Sequence, residues 1–219
     1  MIVKDYMTKH PVMIEPKMSI VEAQSIMAET KTRHLPVVEE GKRLVGLITH
    51  ETLRIPPNIL TSLNVWEITR FLSNLTVKDV MVKRKEIVTT GPDTTIEAAA
   101  RIMVEHKIGC LPVLSEEIVV GIITDNDLMA HLVEMLAAPE PSVRVTMHMS
   151  LTTGELARLV AAISAQGWCI WALGGVYSPK DPNSWEAVFK ISGVPREQVV
   201  AVLSKIEGQK IIDVREVEG

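Results

Sequence analysis

Thr124 and Asp127, three residues apart, stand where an apolar run gives way to a helical pattern. Gly121-Ile122-Ile123-Thr124 reads as the end of a strand. Asp127-Leu128-Met129-Ala130-His131-Leu132-Val133 carries helical apolar spacing, so a helix is expected to begin at Asp125. A strand feeding a helix leaves backbone N–H groups pointing out of the helix start, and such a terminus favours an anion, phosphate above all. Thr124 would add a hydroxyl donor there. Asp127 would be an acceptor for the paired hydroxyls of a ribose. The same two residues also fit a purely local role, with Thr124 capping the helix and Asp127 complementing its dipole.

The stretch has a counterpart upstream. Gly46-Leu47-Ile48-Thr49-His50-Glu51-Thr52-Leu53 repeats the glycine, apolar pair, threonine and closing leucine at an offset of 75. Val3-Lys4-Asp5-Tyr6-Met7 pairs with Val77-Lys78-Asp79-Val80-Met81, Ile26-Met27 with Ile102-Met103, and Leu35-Pro36-Val37 with Leu111-Pro112-Val113. An internal repeat of this kind decides the fold before any single element does.

The elements that must position these residues follow in order. Residues 1–54 form the first repeat: an extended Pro11–Pro16, a helix from Ser19, then Leu35–Val38 and Leu44–Ile48 joined by a turn at Glu39–Lys42. Ser19 and Glu22 have capping-box spacing, and Ile20, Ala23, Ile26 and Met27 share one helix face. A second helix should follow Thr49 and stop by Ile55-Pro56-Pro57. Residues 55–76 are not repeated, and Thr61–Leu72 looks like a capped amphipathic helix. The second repeat runs over 77–137, its helix capped by Thr94 or, in the repeat register, by Thr95. Its hairpin turns at Ser115-Glu116-Glu117.

Residues 138–142, around Pro139 and Pro141, are a proline-broken linker where a domain boundary belongs. Residues 143–219 then read strand (143–149), helix (153–166), strand (168–177), strand (185–191), helix (195–206) and strand (210–217), with a turn at Asp181–Ser184. Val143, Val145, Met147 and Met149 alternate, and Leu156, Leu159, Val160 and Ile163 form a helix stripe. The order β-α-β-β-α-β is the ferredoxin-like plan, four antiparallel strands with two helices on one face. The fold class is α/β (α+β) throughout.

Composition narrows the function. A net charge of −4 and a pI near 5.9 supply no basic field for nucleic acid. With 219 residues and 47% hydrophobic content, two or three small domains can bury real cores. Cys110 and Cys169 both sit in apolar stretches and read as buried, reduced thiols of a cytoplasmic protein. The start, Met1-Ile2-Val3-Lys4-Asp5, lacks a signal core. Leu159–Tyr177 is uncharged, but Gly167 and Gly174-Gly175 break it and its pattern turns β-rich at Trp168, so no membrane span is expected. The six histidines lack metal spacing, and no nucleophile triad or acid–base couple can be argued. The tryptophans read as core or interface residues.

At this point the residues resemble a known family. Each repeat resembles a CBS motif, the two together a CBS pair (Bateman module), and 143–219 an ACT domain. The combination resembles the acetoin-utilisation accessory proteins of the CBS–ACT type. The resemblance rests on Gly121-x-x-Thr124-x-x-Asp127, Ile108-Gly109-Cys110-Leu111-Pro112-Val113 and Arg33-His34-Leu35-Pro36-Val37. In the ACT-like part, Gly154 occupies the usual loop glycine, while Thr152-Thr153 replaces the common acidic residue and proline.

The resemblance implies adenosine ligands in clefts between the two halves. Thr124 would hold phosphate and Asp127 the ribose, facing Thr8-Lys9-His10-Pro11-Val12 and Arg33-His34, with Arg33 and Lys9 supplying positive charge. The second cleft would use Thr49 with Ile108-Gly109-Cys110, but Thr52 replaces its aspartate. Losing one charge-assisted hydrogen bond costs about 1.5–3 kcal/mol, so that cleft is expected to be weak or empty. An amino-acid effector would meet the loop at Thr153 and Gly154.

The expectation is therefore a non-catalytic regulatory protein and homodimer, with no required cofactor and no metal. AMP, ADP or ATP would be its ligand, relayed allosterically to the ACT-like domain or to an enzyme partner. The alternative is a dimerisation or interaction scaffold with a vestigial cleft.

Overall fold

The computed structural model describes residues 1–53, 75–138 and 141–217. The helix expected at 61–72, and the end of the one expected after Thr49, lie outside the described residues; residues 50–53 form a turn. The chain divides into two compact units, Met1–Met129 and Ala130–Gly219.

The first unit opens with α1 (Val3–Tyr6) and β1 (Thr8–Lys9), followed by α2 (Ile20–Thr30), β2 (His34–Glu39) and β3 (Arg43–Thr49). Ser19 Oγ accepts from Glu22 N at 3.2 Å, and α2 buries Ile20, Ala23 and Met27, while Ile26 is half-buried. The second repeat copies this with α3 (Val77–Val80), β4 (Val82–Lys83), α4 (Ile96–His106), β5 (Cys110–Ser115) and β6 (Ile118–Thr124). Thr95, not Thr94, caps α4, accepting from Ala98 N at 3.2 Å, so the repeat register holds here. Helix α5 (Asp125–Leu136) follows directly.

The two repeats exchange their leading segments. β1 pairs with β6 of the second repeat, and β4 pairs with β3 of the first. Val3 N donates to Thr94 O at 2.8 Å, and Val77 N to Met18 O at 2.8 Å. Val3 is buried in the second repeat's core with Ala99, Met103, Leu111, Val113 and Ile123. Val77 is buried in the first repeat's core with Ile14, Ala23, Leu35 and Ile48. A third cluster, Leu44, Leu47, Ile87, Cys110, Val119 and Ile122, joins the two halves, whose sheets meet at Arg43↔Ile118. Because Ile14 already pairs with Val37, the chain between Lys9 and Ile14 must cross from one half to the other.

The second unit contains β7 (Ser142–Ser150), α6 (Glu155–Ser164), β8 (Ile170–Ser178), β9 (Asp181–Ser192), α7 (Arg196–Leu203) and β10 (Lys210–Val217). The sheet order is β10-β7-β9-β8, with every neighbouring pair antiparallel. Val143, Val145, Met147 and Met149 alternate into one core with Leu159, Ile163, Phe189, Val199 and Leu203. Leu156 is exposed and Val160 half-buried, so the helix buries a narrower stripe than its apolar spacing suggested.

The turn between β8 and β9 falls at Pro179-Lys180, not at Asp181–Ser184. Asp181 still makes the side-chain bonds of a turn former, accepting from Asn183 N at 3.0 Å and from Ser184 Oγ, but inside an irregular start of β9. These bonds hold its carboxyl below the usual range. Cys110 is buried as expected; Cys169 is exposed, because it sits just ahead of edge strand β8. Trp168 and Trp185 pack against the core, and Trp171 is exposed on that edge. Among the described residues no helix is long and apolar enough to cross a membrane, and no group of three or more His, Cys, Asp or Glu is arranged to hold a metal ion.

Candidate functional site

The junction of β6 and α5 is built by local bonds. Cys110↔Thr124 is the last pair of the β5–β6 ladder, and Asp125 N donates to Gly109 O at 3.0 Å. Thr124 and Asp127 then close a reciprocal box. Thr124 N and Oγ1 both donate to Asp127 Oδ2 at 2.8 Å, and Asp127 N donates to Thr124 Oγ1 at 3.3 Å. Asn126 N donates to Asp125 Oδ1 at 2.8 Å.

These bonds correct the expectation of free N–H groups at this helix start. The N–H groups of Asp125, Asn126 and Asp127 are all taken, and the one hydroxyl proton of Thr124 is engaged by Asp127. Phosphate at this site would depend on side-chain cations instead. Asp127 Oδ1 makes no protein hydrogen bond among the described residues, so one oxygen caps the helix and the other is unengaged.

Two cavities flank this junction, both within the first unit. The first has a volume of about 410 Å³. Thr8 and His10–Val12 form one side of it, Thr30–His34 another, and Ile122 with Thr124–Asp127 the third. The crossing segment and the α2–β2 turn of one half are thus brought against the helix start of the other. Of the residues expected there, only Lys9 is missing: it pairs with Gly121 in β1 and is exposed, and strand alternation turns it away from its neighbour Thr8. Lys31 lines the cleft and was not anticipated. It is the left-handed C-cap of α2 at φ 53°, a position read from the sequence only as the end of a helix. His10, in the same wall, also has a positive φ, 51°.

The second cavity, about 870 Å³, is lined by Leu47, Thr49–Thr52, Val82, Ile87, Val88 and Lys107–Cys110. All four residues expected there, Thr49, Ile108, Gly109 and Cys110, are among them. Thr52 stands where Asp127 stands in the first cleft. Thr52 Oγ1 accepts from Thr49 N at 3.0 Å and donates to Thr49 O at 2.9 Å, so the box survives without a carboxylate and the hydroxyl proton is consumed. Burial pushes the Cys110 thiol up to about 12, and Asp125 adds to that rise. His34 is held below its ordinary value chiefly by burial, with Arg33 acting in the same direction and Asp125 opposing. Thr153 and Gly154 lie apart from both cavities in the second unit, in the loop between β7 and α6, with Gly154 at φ 95°.

The CBS-domain family model matches residues 3–54 and 77–134, half of the chain. A protein of uncharacterized function from Methanocaldococcus jannaschii is 33% identical over 133 residues, 60% of this chain and 44% of its own length. An inosine-5'-monophosphate dehydrogenase from Korarchaeum cryptofilum is 30% identical over 126 residues, 57% of this chain and 23% of its own. This chain therefore spans less than half the length of these curated relatives. Among solved structures, a proposed acetoin utilization protein (AcuB) of Vibrio cholerae is 29% identical, with TM-score 0.52, covering 62% of this chain and 93% of its own. The CBS domain pair of protein MJ0100, in complex with 5'-methylthioadenosine and S-adenosyl-L-methionine, is 27% identical with TM-score 0.50, covering 60% and 95%. CBSX2 in complex with AMP is 25% identical with TM-score 0.51, covering 61% and 96%. Two matched repeats that complete each other's sheets around paired clefts leave one conclusion: the chain belongs to the CBS-domain family and carries a CBS pair.

Proposed function

We propose that this protein is a non-catalytic regulator that binds an adenosine nucleotide in the first cleft. The observation that carries this reading is Asp127: one carboxylate oxygen fixes the helix start, the other has no protein partner among the described residues, and the residue lines a cleft that also holds Arg33 and Lys31. The ribose hydroxyls would bond Asp127 Oδ1, and Arg33 and Lys31 would take the phosphate. Thr8, His10, Pro11, Val12, His34 and Thr124 would shape the cleft around the ligand. Solved relatives that hold AMP, S-adenosyl-L-methionine or 5'-methylthioadenosine support the ligand class.

The element and sheet order of the second unit is the ferredoxin-like plan, which supports reading 143–219 as an ACT-like domain following CBS motifs at 1–54 and 77–137. Nucleotide binding would be relayed to that domain or to a partner enzyme, in a cytoplasmic homodimer, with Thr153 and Gly154 as the effector loop. Such a relay requires the ligand to prefer one arrangement of the protein over another.

A scaffold with a vestigial cleft is the second reading, favoured by the Thr49–Thr52 box, which has no carboxylate to offer a ribose. Isothermal titration with AMP, ADP, ATP and S-adenosyl-L-methionine separates the two. Micromolar binding of one adenosine ligand, lost in Asp127→Ala, is the expected result; no heat from folded protein would leave the scaffold.

A further inference from the structure

Three residues line both cavities: Arg33, His34 and Asp125. Their repeat counterparts, Gly109, Cys110 and His50, line only the second. The repeat symmetry is thus broken in the wall between the clefts, where one arginine borders two cavities.

The groups that could hold an anion are few on each side. In the first cleft the N–H groups of the helix start are already bonded, which leaves Lys31 and Arg33 as its cations. In the second, His50 N donates to Arg33 O at 3.1 Å and Thr52 N to Thr49 Oγ1 at 3.3 Å; its cations are Lys107 and Arg33, and Glu51 adds a carboxylate to its lining. The Arg33 side chain is exposed and makes no hydrogen bond or ion pair among the described residues, so it is available to either side. Asp125 stands in the same wall and would oppose any anion that lacked the guanidinium.

We propose that Arg33 serves both clefts and couples them, so that phosphate-bearing ligands in the two weaken each other. The proposal rests on the nucleotide reading of the first cleft. A guanidinium shared by two phosphates divides its five N–H donors and its single positive charge between them, and the two phosphates repel each other across it. The ligand bound second then meets one lysine and two carboxylates, Asp125 with Glu51 in the second cleft or with Asp127 in the first. Lacking an aspartate at Thr52, the second cleft would take its ligand through the phosphate and its apolar wall of Leu47, Val82, Ile87 and Val88 rather than through a ribose diol.

Titration of the full chain with AMP tests this. The wild type is expected to show two binding events, the second weaker. Asp127→Ala should remove the first event and tighten the remaining one by about fivefold or more relative to the wild-type second event. Arg33→Met, a change at an exposed position, should weaken both events and abolish that tightening. A remaining event unchanged in Asp127→Ala, or weakening of only one event by Arg33→Met, would show independent clefts and overturn the proposal. A single wild-type event that vanishes in Asp127→Ala would also overturn it while leaving the nucleotide reading intact. No AMP binding in any form of the protein would overturn it outright, with the nucleotide reading then resting on the other adenosine ligands.

Discussion

Met7 lies over Gly121 so closely that a β-carbon there would run into the methionine sulfur, and Met81 covers Gly46 in the same way. Each methionine belongs to the leading segment of one repeat and each glycine to the sheet of the other. The glycine that begins the Gly-x-x-Thr pattern therefore admits the exchanged segment, and the threonine three residues on closes the helix box. One short motif serves both the assembly of the two halves and the site between them.

Alanine at these positions should give a graded loss of stability. In Gly121→Ala the clash falls on a thioether that can swing aside, and the cost should be at the low end of overpacking, about 1 kcal/mol. In Gly175→Ala it falls on the ring of Trp185, a rigid group packed against the second unit's core, and about 2–3 kcal/mol is expected. Denaturant unfolding of both variants checks the order; equal losses would show that Trp185 moves as freely as Met7.

Asp127 should separate into two roles by substitution. Asp127→Asn keeps an oxygen that can accept from Thr124 N and Oγ1, so the helix start should hold. Asp127→Ala removes the box and should cost about 1 kcal/mol of stability. Both variants should lose roughly ten- to a hundred-fold in affinity for an adenosine ligand, because both remove the charge-assisted bonds to ribose. Thermal melting paired with titration reads the two effects independently. An Asp127→Asn protein that binds as tightly as wild type would show that the carboxylate charge does not hold the ligand.

Much of this architecture was legible in the residues. The repeat, the cap at Ser19, the two hairpins of the first unit and the Val143–Met149 alternation are all local signals, read over a few residues and then found in place, whereas the choice between Thr94 and Thr95 is made only by the repeat register. The exchange of leading segments was not legible, because Val3 and Val77 are interchangeable in sequence and only the packed cores decide where each belongs. Lys9 was misplaced for a related reason: a pairing as short as Thr8–Lys9 carries no alternation to show which residue faces the cleft. The saturated N–H groups at Asp125–Asp127 depend on Gly109 O reaching across from the neighbouring strand, a contact that no spacing rule encodes.

His34 gives the site a dependence on acid. Burial holds its folded value below the ordinary 6.5, with Arg33 assisting and Asp125 opposing. A depressed value means that the unfolded chain binds the proton more readily. The contribution of neutral His34 is thus fully present above pH 6.5 and declines as pH falls below it toward the folded value. His34→Gln should flatten the fall in stability over that acid window relative to wild type. The proton resonances of the ring, followed by NMR, should titrate below 6.5; titration at or above 6.5 would mean that Asp125 outweighs burial.

Cys110 predicts the opposite window. Its thiol is pushed up to about 12, against an ordinary value of 9.0, by burial beside the second cleft and by the Asp125 carboxylate. The folded state therefore keeps the proton that the unfolded chain gives up. This contribution is fully present below pH 9 and is lost as pH rises toward 12. Cys110→Ala should remove that part of the alkaline decline while costing some packing in the cluster with Leu47, Val119 and Ile122. At pH 8 a small thiol reagent should modify exposed Cys169 promptly and Cys110 only as the protein unfolds, because the thiolate is the reacting form. Prompt modification of two thiols per chain at pH 8 would show that the second cleft opens Cys110 to solvent in the folded state. A phosphate-bearing ligand in that cleft should then slow the second modification and leave the first unchanged.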